Sequence, residues 1–238
     1  MPFKFTIIIP IYNEEDNLER LEIELLVFKQ TSKIVTKILF INDGSTDGSQ
    51  THIESICNRN TNFNFLEFDK NYGLSTALKA GFEHVDTEFI GYIDADLQTS
   101  PKDFNLLLEH INDFDLVTGV RTNRNDNLLK KVTSKIANFT RKLFTKDGID
   151  DTGCPLKVIK TEYAKRIPMF RGLHRFLPAM ILLQGGTIKQ IPIQHFPRLA
   201  GTSKFGIHNR LLGPLADCFA YLWMKKKSIH YKISKQQL

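Results

Sequence analysis

Phe89-Ile-Gly-Tyr-Ile-Asp-Ala-Asp-Leu-Gln-Thr-Ser-Pro101 decides how the rest of the chain is read. It opens as an apolar run suited to a buried strand and closes on two carboxylates, Asp94 and Asp96. Alternate residues of a strand share a side. The strand's end therefore turns both acids into one space, with the amide of Gln98 close behind. Pro101 then starts a helix, its fixed φ suiting the first helical position. Two carboxylates and an amide oxygen form a hard-oxygen set, matched to Mg²⁺ or Mn²⁺ holding a phosphate rather than to zinc. The plainer alternative is an Asp pair that only caps the next helix, and a short motif alone does not separate the two.

The flanking sequence supplies the context. Lys4 to Tyr12 is a β-branched apolar strand ending at Asn13. Glu14 to Phe28 follows as a helix, with Leu18, Leu21, Leu25 and Phe28 on one face and acids in its first turn, where the helix dipole favours them. Lys37 to Ile41 is a second buried strand, closed by the turn-rich loop Asn42-Asp43-Gly44-Ser45-Thr46-Asp47-Gly48, which leads into a helix over 49–58. A third strand is expected over 63–68. Asn71-Tyr72-Gly73 then precedes a helix over 74–85, in which Gly73, Ala77 and Gly81 form a small-residue groove for close packing on a sheet. After the strand over 89–93, a helix over 102–112 and a strand over 115–119 continue the alternation.

Such alternation predicts an α/β fold with a mostly parallel central sheet covered by helices on both faces. Ligands of these sheets sit at the carboxyl ends of the strands. Three polar clusters fall there: Tyr12-Asn13-Glu14, Asn42-Asp43-Gly44 and Asp94-Ala95-Asp96. No G-x-G-x-x-G follows the first strand and no G-x-x-x-x-G-K-[ST] occurs, so dinucleotide and P-loop readings are disfavoured.

With 238 residues and 42% apolar side chains, the chain suits one substantial core, with room for a small appendage. No apolar run approaches the roughly 20 residues of a membrane span. The N-terminus lacks a signal-peptide layout. Cys57, Cys154 and Cys218 lack metal-ligand spacing and read as reduced thiols of a cytosolic protein. Residues 1–113 carry 9 basic and 19 acidic side chains, whereas residues 114–238 carry 23 and 7. The basic half suggests an anionic partner: phosphates, nucleic acid or a lipid surface.

Beyond residue 120, Arg121 and Arg124 lead into an expected helix over 128–145. Leu128, Leu129, Val132, Ile136, Phe139 and Leu143 form its apolar stripe, and Lys130, Lys131, Lys135, Arg141 and Lys142 its other sides. Asp150 to Lys157 is a turn into a strand, residues 173–183 a short helix and 187–196 a strand. Arg198-Leu-Ala-Gly-Thr-Ser-Lys-Phe-Gly206 is a basic, Gly-bearing loop of a kind that can close on a diphosphate. Ile207 to Met224 is largely apolar but interrupted by Gly213, Pro214 and Asp217, has Tyr221 and Trp223 near its end, and is followed by Lys225, Lys226 and Lys227. Both an interfacial helix at a membrane and packing against the core are consistent with it.

IIIPIYNEEDNL, INDGSTDGS, NYGLSTALKAGF and YIDADLQTSP, in this order and spacing, resemble the family-2 inverting glycosyltransferases of GT-A fold. GVR, DTGCPLK and HFPRLAGTSKFG resemble the polyprenyl-phosphate sugar transferase branch, typified by dolichol-phosphate mannosyltransferase. The resemblance implies a catalytic domain over residues 1–206; residues 207–238 follow as an amphipathic helix and basic tail, with membrane-interfacial binding and packing on the protein both left open. It implies an enzyme moving one sugar from a GDP- or UDP-sugar to polyprenyl phosphate, with Mg²⁺ or Mn²⁺, peripherally bound at the cytoplasmic face of the membrane.

By the same resemblance, Pro10, Tyr12, Glu14 and Gly73 border the nucleotide and Asp43 reads its base. Asp94 approaches the ribose and diphosphate, and Asp96 and Gln98 hold the metal with Asp94 beside them. Arg198, Ser203 and Lys204 clamp the donor phosphates. Arg121, Lys130 and Ser134 meet the lipid phosphate, although Lys130 stands where an Arg is usual and lacks its bidentate fork. A phosphate nucleophile is already anionic and needs no base; a sugar hydroxyl does, and Asp151 is then the candidate.

Q-x-x-R-W, the mark of processive synthases, is absent, with His174-Arg175-Phe176 in its region. Alternatives are a family-2 transferase adding to a glycan hydroxyl and, from another class, a non-catalytic nucleotide-binding module. A nucleic-acid partner is disfavoured because no RNA-binding aromatic signature or helix-turn-helix is present.

Overall fold

The computed structural model describes residues 3–122, 141–198, 212–229 and 234–235. The first strand, β1 (Phe5–Ile11), lies inside the sheet, and Pro10 alone in it is not buried. Its side chains alternate between two cores: Phe5, Ile7, Ile9 and Ile11 enter one, Ile8 the other. A strand buried on both faces must be apolar throughout, which explains the continuous β-branched run.

Parallel pairing extends from β1 to β2 (Thr36–Asn42) and β3 (Phe63–Glu67) on one side. On the other side β1 pairs in parallel with β4 (Phe89–Tyr92). The seven-stranded sheet runs β3-β2-β1-β4-β6-β5-β7, with β5 at Leu116–Thr122, β6 at Lys157–Lys160 and β7 at Ile188–Gln194. β6 is antiparallel to both β4 and β5, while β5 and β7 are parallel. The sheet is thus mostly parallel, with β6 running against both of its neighbours. Repeated strand–helix alternation signals parallel pairing, but the long connection between β5 and β6 gives no such signal.

Helix α1 (Glu15–Thr31) buries Leu18, Leu21, Leu25 and Phe28 against one face, as their spacing requires. α2 (Ser49–Arg59) lies beside it. α3 (Leu74–His84) covers the opposite face. Its close approach depends on Gly81, where an added Cβ would stand 2.6 Å from Ile8 Cδ1 and 2.8 Å from Ile41 Cδ1. Gly73 is not part of that groove. It has open space around its Cβ position and a φ of +91°, so it serves the turn into α3.

The expected helix over 102–112 is shorter. A 3₁₀ turn over Pro101–Asp103, capped by Ser100 Oγ accepting from Lys102 N at 3.3 Å, leads into α4 (Phe104–Leu108). α5 (Thr161–Lys165) follows β6, and a 3₁₀ turn over Leu173–Phe176 leads into α6 (Leu177–Leu183).

Of the helix expected over 128–145, only its last turn, residues 141–145, is among the described residues. There the expected faces are exchanged. Arg141, read as solvent-facing, is 5% exposed and pairs with Asp147, Thr145 Oγ1 and the carbonyl of Ile149. Leu143, read as core, is 64% exposed.

α7 (Leu212–Lys227) does not stand apart from the body as an appendage. Cys218 and Tyr221 are buried in the core on the α3 side, Tyr221 stacks on Phe176 with ring centres 6.1 Å apart, and Asp217 pairs with Arg175 at 3.7 Å. Its outer face exposes Leu215, Phe219, Leu222 and Trp223. Among the described residues no helix is long and apolar enough to cross a membrane.

Candidate active site

The carboxyl ends of β1, β2, β4, β5 and β7 open on one rim of the sheet, and because β6 runs backwards its first residue, Lys157, lies there too. The loops after β1 and β2 are knitted together. Asn13, at φ 51°, donates its backbone N–H to Ser45 Oγ at 2.9 Å, and its side-chain Oδ1 accepts from Thr46 N at 2.7 Å. Asn tolerates that left-handed conformation better than most residues. Glu14 Oε2 accepts from Asn17 Nδ2 at 2.7 Å at the start of α1.

Asp43 is almost fully buried, and its carboxylate accepts from Tyr72 N (2.7 Å), Gly73 N (2.9 Å) and Asn71 Nδ2 (3.0 Å). Burial pushes its carboxyl above the usual range, against the pull of those donors. Asp43 thus ties the β2 end to the start of α3 and shapes the wall of the adjoining cavity. That cavity, ≈ 580 Å³, is lined by Tyr12, Ser45, Thr46, Phe68, Asp69 and Lys70 among others. It offers an aromatic face, hydroxyls and backbone, the chemistry of a nucleoside site.

Next to it lies the aspartate turn. β4 ends at Tyr92, so the two acids project from a turn rather than from the strand itself. Leu97, between Asp96 and Gln98, has a φ of 53°, a strained value for a branched residue. Asp94 accepts from Tyr92 Oη at 2.8 Å. Burial and the neighbouring charge of Asp96 push the Asp94 carboxyl up to about 6. Two such carboxylates under one roof create a demand for positive charge. Asp96 Oδ2 accepts from Arg198 Nη2 at 2.6 Å, and its Oδ1 accepts from Gln98 N at 3.2 Å.

On the far side, Arg121 and Asp151 form a two-pronged ion pair. The structure therefore brings together Pro10, Tyr12, Glu14, Asp43, Gly73, Asp94, Asp96, Gln98, Arg121, Asp151 and Arg198 along one rim. Lys130, Ser134, Ser203 and Lys204 lie outside the described residues.

Two residues escaped the sequence reading. Lys157 is 1% exposed, in register with Tyr92 on β4 and Thr118 on β5. Its Nζ donates to the carbonyls of Thr152 (3.4 Å) and Cys154, and burial lowers its pKa. Its charge acts on Asp94 and Asp151 alike. A lysine inside an apolar strand segment was the available signal. His195 follows β7, with its Nδ1 3.1 Å from the carbonyl of Gln98. Since a carbonyl only accepts, Nδ1 carries the proton.

Residues 6–167 match the family described as Glycosyl transferase family 2. The chain belongs to that family. It is a glycosyltransferase of GT-A fold. Among curated relatives, it is 27% identical over 236 residues to the dodecaprenyl-phosphate galacturonate synthase of Rhizobium johnstonii, covering 96% of this chain and 70% of that one. To the undecaprenyl-phosphate 4-deoxy-4-formamido-L-arabinose transferase of Salmonella choleraesuis it is 30% identical over 216 residues, covering 90% and 66%. The chain thus spans about two thirds of the length of these relatives.

Glucosyl-3-phosphoglycerate synthase of Mycobacterium tuberculosis, solved with Mn²⁺, UDP and glucosyl-3-phosphoglycerate, superposes with a TM-score of 0.71 at 13% identity over 96% of this chain and 81% of that one. A mannosyltransferase of Pyrobaculum calidifontis, solved with GDP-Man and Mn²⁺, gives 0.66 at 18% identity over 91% and 63%. At those identities the likeness concerns the fold.

Proposed function

We propose that this glycosyltransferase moves a single sugar, with inversion, from a nucleoside-diphosphate donor to a polyprenyl phosphate at a membrane surface, using a divalent cation. The observation that carries the reading is the Asp94–Asp96 turn beside the nucleoside-sized cavity, with Arg198 held on Asp96. The names of the two curated relatives support the lipid-phosphate acceptor.

The donor set suits Mg²⁺ or Mn²⁺, because two carboxylates and the Gln98 amide are hard oxygens. Asp96, Gln98 and Asp94 would hold the ion, which when bound neutralises charge on the donor's leaving diphosphate. Tyr12 and the 44–46 loop would cradle the nucleoside. Arg198 would add a fixed positive charge at the diphosphate, where preorganised electrostatics contribute most to the rate. Ser203 and Lys204 are assigned to the same clamp, and Lys130 and Ser134 to the acceptor phosphate, on the resemblance alone.

An acceptor phosphate brings its own negative oxygen, so no side chain has to remove a proton. The Arg121–Asp151 pair favours this over a glycan-hydroxyl acceptor, since the carboxylate that a hydroxyl would need as base is engaged bidentately by a guanidinium. Arg121 then serves the acceptor side as a positive charge oriented by Asp151.

Membrane contact is assigned to the outer face of α7, where Leu215, Phe219, Leu222 and Trp223 precede Lys225, Lys226 and Lys227. Apolar side chains with an aromatic and lysine edge match the headgroup boundary of an anionic leaflet. Placement at the cytoplasmic face and the 1–206 and 207–238 division belong to the same proposal; the packing of Cys218 and Tyr221 makes the second part integral to the first.

The experiment is a thermal-shift panel of UDP- and GDP-sugars with Mn²⁺, followed by product analysis with undecaprenyl phosphate. A lipid-linked sugar, formed only with the metal, is the expected result. Transfer to a free glycan but never to the lipid phosphate would replace the acceptor assignment.

A further inference from the structure

The aspartate turn and the segment after β7 grip each other at three points. Phe196 N donates to the carbonyl of Gln98 at 2.9 Å, His195 Nδ1 lies 3.1 Å from that same oxygen, and Arg198 Nη2 donates to Asp96 Oδ2 at 2.6 Å. The Arg198 and Asp96 side chains are 28% and 10% exposed, so solvent screens their attraction only in part. Among the described residues, Arg198 is the ion-pair partner of Asp96. Asp96 is also the carboxylate assigned to the divalent cation, and its other oxygen already accepts from Gln98 N.

We infer that Arg198 and the divalent cation exchange on Asp96. The guanidinium holds this carboxylate in place and balances its charge; a cation bound to Asp96 would take over that role and leave Arg198 free to pair with the donor diphosphate. The inference rests on the metal-dependent reading above and adds that loading of the ion and availability of Arg198 are one event. Its physical basis is that a dication and a guanidinium sharing one partly buried carboxylate repel strongly unless a diphosphate lies between them. Competition of this kind is reciprocal: removing either cation strengthens binding of the other.

Mn²⁺ titration of the full chain by calorimetry, without nucleotide, tests it in wild type, Arg198→Gln and Arg198→Lys. The Gln variant, having lost the competing charge, should bind Mn²⁺ about tenfold tighter, or ~1.4 kcal/mol. The Lys variant, which keeps that charge, should stay near wild type. Adding UDP or GDP should reverse the order, with the Gln variant holding Mn²⁺–nucleotide more weakly.

Equal or weaker Mn²⁺ binding by the Gln variant without nucleotide overturns the exchange while leaving the metal assignment standing. No Mn²⁺ binding by any of the proteins overturns both. If the variants fail to fold, wild type serves: modification of Arg198 by a dicarbonyl reagent, mapped by mass spectrometry, should rise on adding Mn²⁺, and an unchanged or lower yield overturns the exchange.

Discussion

Arg121 and Asp151 are locked together beneath the rim, Nε to Oδ2 at 2.7 Å and Nη2 to Oδ1 at 2.8 Å, and the Arg121 amide also donates to Asp151 at 3.3 Å. Their side chains are only 13% and 8% exposed. Deleting one partner of a buried pair strands the other's charge, at a cost of about 3–5 kcal/mol. Asp151→Ala should therefore lower the free energy of urea unfolding by about 3 kcal/mol, with Asp151→Asn less damaging. Intact stability with lost turnover would instead mark Asp151 as a base.

Asp96→Ala removes the carboxylate that faces Arg198 and receives Gln98 N. Mn²⁺ binding measured by calorimetry, and metal-dependent transfer with it, should disappear while the far-ultraviolet circular dichroism is unchanged. Undiminished Mn²⁺ binding would remove Asp96 from the ligand set.

Lys157→Met keeps the bulk of the side chain and discards its charge and donors. The carbonyls of Thr152 and Cys154 then lose their partner, and Asp94 loses a nearby positive charge. Unsatisfied buried groups cost about 1–3 kcal/mol each, so a loss of a few kcal/mol is expected. Amides of residues 152–154 and 156 should exchange hydrogen faster than in wild type; unchanged exchange there would mean that Lys157 does not hold this loop.

His174 reports on acid stability. Burial, then the charges of Arg175 and Lys157, lower its pKa from 6.5 to about 3, and its Nδ1 lies 2.8 Å from Ser75 Oγ. A folded-state pKa below the unfolded one means that the neutral ring is favoured in the fold. Its contribution is complete above the unfolded value and is lost as pH falls from there toward 3. Linkage puts the loss at about 2 kcal/mol by roughly pH 5. His174→Gln should flatten the fall in urea midpoint between about pH 7 and 5, and an undiminished fall would assign it to other groups.

The outer face of α7 is tested by point changes rather than truncation, because Cys218 and Tyr221 on its inner face are core. Phe219→Ser with Trp223→Ser should reduce flotation with anionic liposomes at least severalfold and leave the melting temperature within a few degrees. Both side chains are more than half exposed, at 58% and 65%. Equal flotation would move the membrane contact elsewhere.

How much of this was legible beforehand follows the physics of each part. β1 to β4 and α1 to α3 were readable because strands buried on two faces are apolar throughout and α1 carries its core at helical spacing. The rim clusters were readable because strand ends in such sheets collect ligands. The reversed direction of β6 was not, since four residues, KVIK, look alike in either orientation. Nor was the engagement of Asp43 by Tyr72 N and Gly73 N: backbone donors leave no mark in side-chain identity. Arg141 misled for a related reason, because its partner Asp147 lies past the helix end, outside any helical spacing.

The reversal of β6 has one more effect. β5 runs up to the rim and β6 sets off from it, so the chain between Thr122 and Lys157 is joined to the sheet at both ends on the side of the Asp94–Asp96 turn. The parallel pairing of β1 to β4 does not depend on the length of that connection. If Arg121 and Asp151 serve the acceptor as proposed, kin that share the first four strands can diverge in what they glycosylate by rewriting this one connection.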